Sequence, residues 1–217
     1  LVLSNKKYFE GMFASLSINV TEFFREAQTL KFFREDILEY LNSFFYVRIW
    51  YPGCSSGETA YSLAMVLYEK GLLKKSQIYA TDFNNKVLKK AKEAKYPIEN
   101  LELCKENYKK SGGKFDFEEY IEIDKDYFRI KEYIKEKVLF FNHNLVSDSV
   151  MNEFQLIVCQ NVFIYFNATL KQKVLKLLYD SLCINGFLVI GKNDYIEKSD
   201  LNNFKEYVYN KKVYQKC

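Results

Sequence analysis

The chain is short of several things that would announce a function. It has one histidine, His143, among 217 residues, so chemistry built on a histidine base has a single candidate. Five cysteines stand at 54, 104, 159, 183 and 217, an odd number with no C-x-x-C pair. That spacing supports neither a zinc site nor a disulfide framework, and a reducing compartment is the default. No apolar run approaches the roughly 18 residues of a membrane span, and no signal peptide is visible. The charge imbalance is small, 32 Lys and Arg against 28 Asp and Glu, net +4. It is too mild and too scattered to point to nucleic acid, though it suits an acidic protein surface. There is no internal repeat and no low-complexity segment. The chain starts at Leu1 and not at Met, from which a piece of a longer protein is expected.

What is present is ample core: 48% hydrophobic and 18% aromatic residues, enough for one α/β domain with an appendage. The organising stretch is Val47-Arg48-Ile49-Trp50-Tyr51-Pro52-Gly53-Cys54-Ser55-Ser56-Gly57-Glu58. It reads as a buried strand entering a glycine turn. A helix follows with Ala60, Leu63, Ala64, Leu67 and Tyr68 on one face, ended by Gly71. Strand, glycine turn, helix is the opening unit of a doubly wound α/β sheet, where backbone and helix N–H groups approach a ligand. The next strand, Ile78–Asp82, ends in a carboxylate placed to take ribose hydroxyls, so an adenosine-containing ligand is the first expectation.

Three chemistries could own the turn. The nicotinamide fingerprint G-x-G-x-x-G is missing, which counts against NAD. Gly53-Cys54-Ser55-Ser56-Gly57 satisfies the G-x-S-x-G of hydrolase nucleophiles. That fold needs several strands before the turn and a late histidine, however, and only about 50 residues precede Gly53. S-adenosylmethionine fits without further demands.

Along the chain, residues 1–28 are mixed, with helical spacing at Phe9, Met12, Phe13 and Leu16. Thr21 is placed to cap one helix and Thr29 the next, whose apolar face is Leu30, Phe33, Ile37, Leu38, Leu41 and Phe45. Val87, Leu88, Ala91 and Ala94 mark a short helix stopped by Pro97. Residues 99–137 are charged, contain Ser111-Gly112-Gly113 and alternate around Tyr120–Ile123, which predicts an inserted antiparallel flap. Val138–Phe141 is expected as a core strand, and Phe154–Cys159, a continuous apolar run, as a central parallel strand covered on both faces. A helix is expected around 169–183, then a turn at Asn185-Gly186 and a buried strand, Phe187–Gly191. The tail, 206–216, is expected to close as an antiparallel strand or hairpin, with Asn210-Lys211 as a turn. A lone histidine such as His143 reads as hydrogen-bonded structure.

Five stretches in order carry a resemblance: Ile18-Asn19-Val20-Thr21-Glu22-Phe23-Phe24-Arg25, Gly53-Cys54-Ser55-Ser56-Gly57-Glu58, Ala80-Thr81-Asp82, Asn144-Leu145, and Cys159-Gln160-Asn161-Val162-Phe163-Ile164-Tyr165-Phe166. Together they resemble the CheR family of chemoreceptor glutamate methyltransferases. The resemblance implies a Rossmann-like class I methyltransferase: a mostly parallel sheet of about seven strands, helices on both faces, and a small antiparallel insert. Residues 1–28 would be the remnant of an N-terminal helical region and linker. Residues 29–217 would be the catalytic domain, with its flap at about 99–137. It also implies methyl transfer from S-adenosylmethionine to glutamates on the cytoplasmic helical domain of chemoreceptors, leaving S-adenosylhomocysteine. A cytoplasmic monomer without metal is expected. Family roles map onto Asn19, Thr21, Arg25, Gly53, Glu58, Asp82, Asn144, Leu145, Gln160 and Asn161 for the cofactor, and onto Arg25 and Tyr165 for the substrate carboxylate.

Two positions depart from the family pattern. Gln160 stands where the family has Arg, and Gly191 is followed by Lys192-Asn193-Asp194 where it favours His-Ser-Glu. These departures keep two rivals open: a non-catalytic adaptor with a methyltransferase fold, and a methyltransferase acting on another carboxylate. The chemistry itself suits the residues. A glutamate with a pKa near 4.3 is ionised at neutral pH, so no base is required. Orientation by an arginine and a tyrosine is what remains to be supplied.

Overall fold

The computed structural model describes residues 21–208 and 212–217. Asn19, the helical spacing at residues 9–16 and the expected turn at 210–211 lie outside them. Helix α1 (Ala27–Phe32) runs through a π turn (Phe33–Ile37) into α2 (Leu38–Asn42). Strand β1 (Val47–Pro52), helix α3 (Glu58–Glu69), strand β2 (Ser76–Asp82) and helix α4 (Asn85–Glu93) follow. An insert then holds β3 (Lys95–Pro97), α5 (Leu101–Lys110), β4 (Ile121–Ile123), β5 (Tyr127–Ile130) and α6 (Glu132–Lys135). The main sheet resumes with β6 (Val138–Asn142) and β7 (Phe154–Cys159), followed by α7 (Ala168–Asp180) and β8 (Leu182–Ile190). It closes with the hairpin of β9 (Phe204–Val208) and β10 (Val213–Lys216).

The seven strands lie in the order β6-β2-β1-β7-β8-β10-β9. The first five are parallel, and β10 and β9 are added antiparallel. The insert makes a separate antiparallel sheet in the order β3-β5-β4. Period-two alternation divides the core between the two faces of the main sheet. Ile49, Tyr51, Leu156, Val158, Phe187 and Val189 join one cluster with α1, α3 and the insert. Trp50, Ile157, Cys159, Leu188 and Ile190 join another with α7. All six residues of β7 are buried, as its unbroken apolar run predicts.

Helix α3 closes where Gly71 was expected to end it: the N–H groups of Gly71 and Leu72 return to the carbonyls of Tyr68 and Leu67. Its burial exceeds one stripe, because every residue from Ala60 to Leu67 is buried. The main sheet covers one side of this helix and the aromatic insert the other.

Several local expectations change. Residues 21–26 form turns and not a capped helix, and α1 starts after Glu26, which is left-handed at φ 56°. Thr29 therefore lies inside α1. Phe45 is 97% exposed, beyond the end of α2, so the apolar face stops at Leu41. Helix α4 is ended by Ala94 at φ 53°, three residues before Pro97. Pro97 sits instead in β3, an edge strand where its missing N–H does no harm. The insert thus begins at residue 95. Strand β6 is the sheet edge, with Leu139 and Phe141 exposed. Helix α7 stops at Asp180, and Leu182 already belongs to β8. Asn185, at φ 63°, and Gly186 lie inside that strand, where the register shifts from Phe154 facing Leu182 to Leu156 facing Phe187.

Candidate active site

The parallel strands β1, β2, β6 and β7 point the same way, so the segments that follow them gather at one edge of the sheet. This edge is where open α/β sheets bind ligands. It holds the glycine turn and Glu58 after β1, Asp82 at the tip of β2, Asn144 and Leu145 after β6, and Gln160, Asn161 and Tyr165 after β7.

The glycine turn is tied to β2 by its own backbone. The N–H groups of Gly53 and Cys54 donate to the Thr81 carbonyl at 2.7 and 3.0 Å, and Ser55 N–H donates to Asp82 Oδ2 at 3.0 Å. Gly53 sits at φ +72°, and a Cβ there would lie 2.5 Å from Val162 Cγ2 in the loop after β7. Only glycine lets these two segments approach so closely.

Glu58 opens α3, where the helix N-terminus favours a carboxylate. Its Oε1 accepts from Ser56 Oγ at 3.0 Å, and Oε2 is buried with no protein partner. Burial pushes its carboxyl up to about 7, against the pull of its own N–H, the Ser56 and Thr21 hydroxyls and the Lys90 ammonium. Asp82 is 7% exposed and accepts from Asn84 N–H at 2.9 Å as well as from Ser55. Burial raises its pKa above the usual carboxylate value, and those backbone N–H groups oppose the rise.

A buried carboxylate oxygen with no partner is costly unless a ligand supplies a donor. The Ser55 hydroxyl on the same turn is buried and unpartnered too. The turn therefore fits a small molecule that brings both a cation and hydrogen-bonding groups, as S-adenosylmethionine does.

Around this centre the structure shows supports that the sequence did not reveal. Tyr96, from β3 of the insert, donates its hydroxyl to the Ser56 carbonyl at 2.8 Å. Gln160 Oε1 accepts from the Tyr51 hydroxyl at 2.9 Å, while its Nε2 donates to Glu26 Oε2 at 3.0 Å. The Lys192 N–H also donates to Glu26, at 3.2 Å to Oε1. The segment before α1 thus lies across the site, with the Thr21 hydroxyl near the Glu58 carboxyl and Glu26 bonded to the ends of β7 and β8. Arg25, half-buried, lies between them. Tyr165, 40% exposed, sits in the single 3-10 turn Phe163–Tyr165.

The segment after β6 is quieter. Asn144 uses its side-chain oxygen to accept from Val146 N–H at 2.9 Å, and Leu145 is buried in the α7-side cluster. The backbone N–H of His143 donates to the Asp82 carbonyl, its ring Nε2 lies 3.1 Å from the Ser149 carbonyl, and the ring packs edge-on against Trp50.

The profile of the CheR methyltransferase, SAM binding domain, matches residues 19–213. The chain belongs to the CheR methyltransferase family. It is 35% identical to the methyltransferase Cher3 of Pseudomonas putida over 216 residues, which cover 99% of this chain and 79% of that protein. It is 32% identical to a chemotaxis protein methyltransferase of Listeria innocua, over 87% of this chain and 72% of that one. A chemotaxis protein methyltransferase of Borreliella burgdorferi is also 32% identical, over 83% of this chain and 66% of its own length. S-adenosylmethionine is the cofactor of this CheR domain. Among the described residues no helix is long and apolar enough to cross a membrane.

Proposed function

We propose that this CheR-family domain transfers methyl from S-adenosylmethionine to glutamate side chains on the cytoplasmic helical part of chemotaxis receptors. The observation that carries the reading is the bracing of residues 21–26 across the strand ends, from Thr21 at Glu58 to Glu26 at Gln160 and Lys192. Arg25 belongs to this braced segment, which supports giving it the substrate carboxylate at the edge that also bears Glu58, Asp82 and Tyr165. The names of the chemotaxis methyltransferases among the relatives support the choice of receptor.

In this assignment Asp82 takes the ribose hydroxyls, and Glu58 Oε2 the ammonium of the cofactor's amino-acid end. Gly53, Thr21, Asn144, Leu145, Gln160 and Asn161 line the remainder, and the family resemblance assigns Asn19 to the cofactor as well. The bound cofactor supplies an electrophilic methyl on a sulfonium. One oxygen of the substrate carboxylate forms the new C–O bond as the S–C bond breaks, and that bond's electron pair goes to sulfur, leaving a neutral thioether. No proton moves, so the protein's task is alignment. Arg25 can hold the carboxylate through two N–H groups and the Tyr165 hydroxyl can orient one oxygen. Residues 1–28 would lead into this domain from an N-terminal helical region, and the receptor setting implies the cytoplasm.

The test is incubation with methyl-labelled S-adenosylmethionine and receptor cytoplasmic fragments, followed by mild base. Base-labile label on the receptor, the mark of a methyl ester, is the expected result. Cofactor binding without transfer would leave an adaptor, and label on other acceptors only would reassign the substrate.

A further inference from the structure

The buried carboxylate of Asp194 lies just beyond β8, in the segment that departs from the family pattern. It is 1% exposed. Its Oδ2 accepts from the N–H of Asn161 at 2.5 Å and of Gly191 at 3.2 Å, and its Oδ1 from the N–H of Ile164 at 3.1 Å. The Phe163 N–H is a further backbone donor to the same carboxylate. Three of these four donors belong to the loop that follows β7. One side chain therefore gathers three amides of the loop that carries Asn161 at its start and Tyr165 at its end.

Two further features show that this arrangement is built in. Asn161 sits at φ 58°, in the left-handed region that asparagine enters more readily than most non-glycine residues. A charge-assisted bond from its N–H to Asp194 holds it there. Gly191 is required by the same contact, because a Cβ there would lie 2.6 Å from Asp194 Oδ2 and 2.7 Å from the Asn161 nitrogen. The turn that presents Asp194 is itself fastened. Lys212 Nζ donates to the carbonyls of Lys192 and Asp194 at 2.7 and 2.6 Å.

We infer that Asp194 is a positioning residue, which acts through the backbone of residues 161–164 to set Asn161 against the cofactor and Tyr165 against the acceptor carboxylate. The inference rests on the site roles proposed above for Asn161 and Tyr165. It also gives the altered Lys192-Asn193-Asp194 segment a definite task, since the acid three residues after Gly191 reaches the neighbouring strand end. Lys192 serves the same edge through its backbone N–H to Glu26. Glu26 and Asp194 thus both fasten the ends of β7 and β8, one through the Gln160 side chain and the other through the Asn161 amide.

Two double-mutant cycles test it. In calorimetry with S-adenosylhomocysteine, Asp194→Asn should weaken binding about tenfold, and much less once Asn161 is already alanine. This arm needs no acceptor, so it decides the inference even if receptor fragments take up no label and the proposed reaction fails. In methyl transfer, Asp194→Asn should lower kcat at saturating cofactor, and the loss should shrink in a Tyr165→Phe background. Lys212→Met, which loosens the turn and leaves the carboxylate in place, should reproduce both effects in weaker form and serves where Asp194→Asn does not fold. Wild-type affinity and rate in Asp194→Asn, or losses that simply multiply in both cycles, would overturn the inference.

Discussion

Tyr96 of the inserted sheet and Ser56 of the glycine turn share a hydrogen bond of 2.8 Å, from the tyrosine hydroxyl to the serine carbonyl. The insert thus touches the backbone of the turn that shapes the cofactor site. Tyr96→Phe removes the donor and keeps the ring, which packs edge-on against Phe23. A lost hydrogen bond of this kind costs about 0.5–1.5 kcal/mol, so cofactor affinity should fall roughly 2- to 12-fold. Calorimetry on the variant checks this, and an unchanged affinity would mean that the turn holds its shape unaided.

Asp82 should matter more. Asp82→Ala removes a charged acceptor from the Ser55 and Asn84 amides as well as from the cofactor. Bonds to charged groups are worth about 1.5–3 kcal/mol, or roughly 10- to 150-fold in affinity. Cofactor binding at wild-type strength would remove Asp82 from the site.

The raised carboxyl of Glu58 carries a sign that can be checked. Without ligand it titrates near pH 7, whereas the unfolded chain holds it near 4.3. The folded state therefore binds more protons between those values, and this group's contribution to stability declines as pH rises from about 4.3 to 7. A cationic ligand group at Oε2 favours the ionised form, so cofactor affinity should rise with pH towards and through 7. Glu58→Gln should flatten that dependence, and a wild-type affinity that falls over the same range would refute the assignment.

Arg34 and Glu69 tie the helix before β1 to α3 and α5. Arg34 Nη1 and Nη2 reach Glu69 at 2.5 and 3.2 Å, Arg34 Nε donates to the Ser111 carbonyl, and the hydroxyls of Tyr108 and Tyr120 also donate to Glu69. Removing one partner of a buried pair typically costs about 3–5 kcal/mol. Arg34→Met should lower the denaturation midpoint accordingly. Ser111 of the Ser111-Gly112-Gly113 turn is buried and its carbonyl accepts from Arg34, so deleting the turn should loosen the insert, read as a lost transition in circular dichroism.

Tyr165→Phe tests the substrate side. It removes a single hydroxyl from a partly exposed ring, so melting temperature and cofactor affinity should stay near wild type. Turnover should fall by about 10², the low end for lost transition-state donors, because carboxylate charge declines during methyl transfer. Arg25→Ala should abolish transfer. A Tyr165→Phe enzyme at full rate would make Tyr165 a packing residue.

The parallel half of the fold was legible because its signals are local. An apolar run entering a glycine turn, an amphipathic helix and an acidic strand tip each span few residues, and the structure assembles them in that order. What escaped depends on what lies opposite. Val138–Phe141 is as apolar as a central strand, and sequence does not say that its outer side meets nothing further. Thr29 and Thr21 have cap chemistry, yet the left-handed Glu26 starts the helix elsewhere. Within the candidate site the glycine turn and Asp82 could be read from spacing, and Glu58 came with the family resemblance. Tyr96, Glu26 and Asp194 could not, since each acts on a backbone or side chain 33 or more residues away. The acid three residues after Gly191 was the one available hint of Asp194.

Helix α3, buried from Ala60 to Leu67 between the main sheet and the insert, makes the periphery and the ligand thermodynamic partners. Local opening of the insert would wet the helix that presents Glu58, so a cofactor that requires Glu58 in place must disfavour that opening. Its occupancy should slow hydrogen exchange at amides of β3 and β5, strands that lie outside the main sheet altogether.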